Sequence, residues 1–134
     1  MDVALLETHI GVQLASGVAC GPGTLLNLYS GSSSTLGSGI ALARLADASD
    51  SLPAHGFALT SGSGTKTTGI AQRVRMDRVG KVVNVDYADF GPGQTVYLGE
   101  SGGYLAAAGT LGQKVGFAVA HHEVFVDLDM ALGA

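Results

Sequence analysis

The sequence predicts an all-β fold, a small β-barrel or β-tulip-like single domain over 1–134 with short irregular or helical turns, and three observations carry that expectation. Apolar and polar residues alternate in short runs, the two-residue period of half-buried strands. The 21 glycines and 3 prolines lie scattered between those runs without a collagen period, as turn and bulge positions. Hydrophobic residues make up 46% of the 134 residues, enough to fill the core of one domain, whereas charged residues make up only 13%, against roughly 25% in an average soluble domain. So few charges predict that part of the surface is covered by a partner.

In chain order, short strands are predicted at Ile10 to Leu14, Leu25 to Tyr29, Gly39 to Leu45, Gly56 to Thr60 and Ile70 to Val74. Lys81 to Tyr87 reads as a strand with Val83, Val85 and Tyr87 on one face and Val82, Asn84 and Asp86 on the other. Gln94 to Leu98 follows the turn Gly91-Pro92-Gly93 and sets Val96 and Leu98 to one side. Lys114 to Val126 reads as a hairpin that turns at His121-His122-Glu123, with Val115, Phe117 and Val119 alternating with smaller residues. Ser30 to Ser34 and Ser61 to Thr68 are small and polar and predict loops. Ala41 to Ser51 and Tyr104 to Leu111 allow at most a short helical turn, and no internal repeat with a period of 20 to 50 residues stands out.

Catalytic constellations fare poorly. The segment Ser61-Gly62-Ser63-Gly64 has no helix after it to make a nucleophile elbow, and the run Gly62 to Thr67 lacks the phosphate-loop order. His121, His122 and Glu123 are the densest group of metal-ligand types, but neighbours on a strand point to opposite faces, and a hairpin turn is the plainer account. Asp86, Asp89 and Glu100 fit a general acid and base pair and solvated strand ends equally well. A site shared between subunits, built from His121, His122 and Asp86, stays open as a third alternative. No enzyme activity, cofactor or metal is expected. A formal net charge of −4 argues against nucleic acid, since phosphate neutralisation needs clustered Lys and Arg. The one cluster, Arg73, Arg75, Asp77, Arg78 and Lys81, places Arg73 and Arg75 on one strand face as a solvated face or a contact with an acidic patch. Cys20 is the lone cysteine, which excludes an intrachain disulfide and fits a reducing compartment. The stretch Met1 to Glu7 has neither a basic start nor an apolar run long enough for a signal peptide or a spanning helix, so no membrane partner is expected.

The order Phe90-Gly91-Pro92-Gly93-Gln94-Thr95-Val96-Tyr97-Leu98-Gly99, then Gly102-Gly103, then Gly112 to Ala120, and finally Val124-Phe125-Val126-Asp127-Leu128, resembles small virion proteins of tailed bacteriophages, the capsid decoration or cement proteins. The upstream run Leu52 to Ala58 is similar to the step that precedes this block in that family. The resemblance implies a domain that trimerises on the outer surface of an icosahedral capsid, binds the major capsid protein lattice and stabilises it, after synthesis in a host cytoplasm. A tail or head-fibre module that binds a host receptor or glycan is the alternative. If a lattice is the partner, residues 1–12 are expected to act as a contact arm, and Val3, Leu5, Leu6, Met130 and Leu132, which would otherwise expose apolar side chains, join Arg73 and Arg75 as the expected contacts; the alternative is that these terminal apolar residues close the core.

Overall fold

A computed structural model describes residues 10–33, 37–64, 70–83, 85, 90–106 and 111–128. The described residues form ten strands: β1 (Ile10–Ala15), β2 (Leu25–Ser33), β3 (Gly37–Leu45), β4 (Gly56–Ala58), β5 (Ile70–Asp77), β6 (Val79–Val82), β7 (Thr95–Leu98), β8 (Tyr104–Leu105), β9 (Lys114–Ala120) and β10 (Glu123–Asp127). The first five close into a barrel in the order β1-β3-β2-β4-β5, and the last five make an open sheet in the order β6-β10-β9-β7-β8. Closure comes from β1, which pairs antiparallel with β5 and parallel with β3. The predicted small all-β barrel is thus what the chain forms.

Alternation sets the two cores. Val12, Leu14, Leu26, Ala43, Ala58, Val74 and Met76 fill the barrel. On β2 and β4 the intervening residues, Leu25 and Phe57, point out of the barrel into the second core, where Val82, Val96, Leu98, Val115, Ala118, Val124 and Val126 line one face of the open sheet. Leu25 and Leu26 are neighbours in sequence and both fully buried, because β2 lies between the two cores.

Strand for strand, the open sheet repeats the barrel. The pairs β1–β5, β5–β4, β4–β2 and β2–β3 correspond to β6–β10, β10–β9, β9–β7 and β7–β8. Register repeats in three of these four pairs: Val12↔Val74 matches Val82↔Val124, Leu26↔Gly56 matches Val96↔Gly116, and Leu28↔Ala43 matches Leu98↔Tyr104, whereas Phe57↔Asp77 and Phe117↔Phe125 differ by two residues. Both β2 and β7 are entered by the same turn. In Gly21-Pro22-Gly23-Thr24 and Gly91-Pro92-Gly93-Gln94 proline presets the first corner, and glycine takes the second at φ 88° and 82°. In each, the fourth residue's N–H donates to the first residue's carbonyl, at 3.1 and 3.0 Å. Its side chain accepts the first residue's N–H, at 3.1 Å for Thr24 and 2.9 Å for Gln94. Among the described residues, the one barrel pairing without a counterpart is β1–β3, so within them β6 and β8 are the edges of the open sheet.

Four local expectations are corrected. Ser30 to Ser33 are strand, because pairing with Gly37 to Ala41 supplies a ladder that their composition does not advertise; Ser34 lies outside the described residues. The strand expected over Lys81 to Tyr87 ends at Val82, and Val83 is exposed whereas Val85 is buried; the Val85 N–H donates to the His122 carbonyl and leaves the alternating register. Tyr104 and Leu105 are strand, and Ala41 to Leu45 belong to β3 ahead of an Asp47–Leu52 bridge, so neither segment is helical over these residues. Finally, Val115 does not share a face with Phe117 and Val119. A register shift opposite Val96 and Tyr97 leaves Val115 as a bulge residue that points into the core, and the next two odd-numbered positions point out.

Candidate interaction surface

The bulge in β9 creates the surface with the least ordinary composition. Phe117 is 46% exposed and Val119 41%, on the outer face of the open sheet. Phe125 of β10 lies directly across from Phe117, and their rings stack at 5.5 Å between centroids. Thr95 on β7 and Lys81 on β6 continue the same row across the sheet, and Lys81 pairs with Glu123 at 3.5 Å on its rim. Gly116 allows the bulge, since a Cβ there would overlap the Phe125 carbonyl. Internal equivalence says what such a face is suited to. Phe57, the counterpart of Phe117, is buried where the barrel packs on the open sheet, so the same position that docks the first half is uncovered in the second.

Arg73 and Arg75 do share the outer face of β5 and are both exposed. Arg73 reaches the Gly11 carbonyl at 3.5 Å, lying over a glycine whose missing side chain leaves room for the guanidinium. Gln13 and Gly11 of β1 stand across from Arg73 and Arg75. Val3, Leu5, Leu6, Met130 and Leu132, together with most of the expected 1–12 arm, lie outside the described residues, as do His9, Asp86 and Asp89.

The remaining candidates resolve into structural roles. His121 and His122 form the hairpin turn, and His122 Nδ1 lies 2.9 Å from the Val85 carbonyl. No group of three metal-ligand side chains occurs among the described residues. Asn27, buried in β2, donates to the Pro53 carbonyl at 2.8 Å and accepts from Arg44 Nε at 2.9 Å, and the Arg44 guanidinium lies 4.1 Å over the Tyr29 ring. The His55 Nδ1 accepts the Leu28 N–H at 2.9 Å; burial, helped by the Arg78 charge, holds its pKa below the ordinary value. Burial pushes the half-buried Cys20 thiol up, so it is no activated nucleophile.

A cavity of about 450 Å³ opens between the edges of β6 and β8, lined by Pro22, Thr24, Val83, Val85, Ser101 and Tyr104 among others. The Tyr104 hydroxyl donates to the Gly23 carbonyl at its base, and burial raises the phenol's pKa, which keeps it neutral. Neither this cavity nor the Phe117 face was anticipated from sequence. A glycine inside a predicted strand, Gly116, was the available sign of a bulge. No family model, curated protein or solved structure matches the chain.

Proposed function

We propose that the chain is a virion structural protein that decorates and stabilises an icosahedral phage capsid by binding the major capsid protein lattice as a trimer. The observation that carries this reading is the uncovered face of Phe117, Val119 and Phe125, within which Phe117 has as its counterpart Phe57, a residue already buried in the packing of the two halves. Apolar sheet faces rimmed by a charged pair suit protein contact, with the aromatic residues at the centre. The resemblance to decoration proteins in the order of the Gly91-Pro92-Gly93 turn, the Gly102-Gly103 turn and the strands around them supports the same reading. A protein bound only to the assembled lattice stabilises it by mass action. A fibre module would present polar loops to a receptor or glycan, and of the polar run Ser30 to Ser34 the residues Ser30 to Ser33 are taken up in the barrel ladder.

The test is co-sedimentation with heads stripped from the phage whose genome encodes the chain, together with the solution mass by light scattering. A trimer that binds heads is expected. Phe117→Ser with Phe125→Ser should abolish binding while the protein still folds, at a stability cost of about 1 kcal/mol for the ring pair in addition to the area that the half-buried Phe125 gives up. A wild-type monomer indifferent to heads would end this reading.

A further inference from the structure

The equivalence of the two halves locates a missing contact. In the barrel, closure is made by Gln13↔Leu42 and Leu14↔Ala43 between β1 and β3. With Val12 matched to Val82 and Leu28↔Ala43 to Leu98↔Tyr104, the counterparts of Gln13, Leu42 and Ala43 are Val83, Gly103 and Tyr104, and all three line the cavity between β6 and β8. Among the described residues, the second half repeats the strand order of the barrel with the last seam left open.

Both sides of this seam present backbone groups. The Leu128 N–H donates to the Arg78 carbonyl at 2.9 Å, which fixes the phase of the β6–β10 ladder: Gly80 and Val82 bond toward β10, and the N–H and C=O of Lys81 face the free edge. The Gly99 N–H donates to the Gly103 carbonyl at 2.9 Å, which fixes β7–β8 likewise and turns the backbone of Tyr104 away from β7. Between the edges the side chains are uncharged: Val82, Val83 and Val85 on one side, Ser101 and Tyr104 on the other, with Thr24 between. Val83 is 50% exposed. A ligand that satisfies two strand edges while burying Val83 is a peptide in extended conformation, and an uncharged lining selects against charged side chains.

We propose that this seam accepts an extended, uncharged segment of the lattice protein as an added strand that completes the second barrel. The proposal rests on the decoration reading for the identity of the partner and on the seam alone for the mode of binding. Emptied heads are the probe, read by hydrogen exchange and by affinity. On head binding, the amides of Lys81 and Tyr104 should gain protection, and Val83→Asp should weaken binding about tenfold or more by placing a carboxylate in the seam. Val83→Ile should bind as well as the wild type, and both variants should keep the wild-type melting temperature within a few degrees. Failure of the wild type to bind heads counts against the decoration reading. Heads bound normally by Val83→Asp, with both amides unprotected, overturn the added strand alone. Protection of the same amides by concentration without heads would assign the seam to a second copy and overturn the proposed occupant.

Discussion

His55 contributes to the fold through both its backbone and its ring. Its N–H donates to the Leu26 carbonyl at 2.8 Å, and its Nδ1 accepts from Leu28, so the ring must be neutral there with its proton on Nε2. Protonation would remove the acceptor and add a cation in the field of Arg78. A histidine with a depressed folded pKa binds its proton more readily in the unfolded chain, so its contribution is complete above the ordinary value of 6.5 and is lost as pH falls from there toward the folded pKa. Urea midpoints should therefore fall as pH drops below 6.5, and His55→Asn should flatten that part of the profile; an unchanged slope would reject His55 as its source. Asp47 acts in a separate window. Its carboxylate, held below the ordinary 3.8 by Ser49 and by the Ser49, Asp50 and Ser101 backbones, loses its contribution only as pH falls below that value. Neither role was legible in the sequence, where His55 is an isolated polar residue, because both depend on partners from other elements.

The segment from Ala46 to His55 acts as a strap between the two sheets. The Ala48 N–H donates to the Gly99 carbonyl at 2.9 Å, and Asp47 accepts the Ser101 N–H at 3.3 Å. Further along, Gln113 clamps Ala54 on both backbone groups, accepting its N–H at 2.7 Å and donating to its carbonyl at 2.9 Å. Gln113→Leu leaves two backbone groups of a fully buried residue unpaired and should cost about 2 to 3 kcal/mol in chemical denaturation. Gln113→Glu keeps the acceptor but turns a second oxygen toward the Ala54 carbonyl, so its loss should shrink at acid pH, where the carboxyl carries a proton to donate; a loss that does not change with pH would mean that the clamp is not the cause. Strands β1, β3, β5, β7 and β10 were readable from their alternating residues. The strap and the two-residue β8 were not, because their backbone bonds are made with segments distant in sequence and leave no period behind.

At the scale of the whole molecule, β2 and β4 serve both cores, so neither core can empty without exposing the other. Leu25→Ala in the second core and Leu26→Ala in the barrel should each cost about 2 to 5 kcal/mol and shift one common calorimetric transition. Two separated transitions would contradict the shared-strand account. The repeat behind this design left no fixed period to find: the counterpart of Val12 is Val82, whereas that of Val74 is Val124, so the connections shorten along the chain. What survives in sequence is the Gly-Pro-Gly turn and the Gly-Phe-Ala triplet, at Gly56 and again at Gly116. The pairing of β1 with β5 also fixes an order of events during translation. The ribosome releases Ile10 to Ala15 long before Ile70 to Asp77 exist, so the first strand must wait with one side unmatched. A nascent chain stalled in that interval carries a sticky flank, and a holdase that shields it would raise yield more than any change to the late-made C-terminal half.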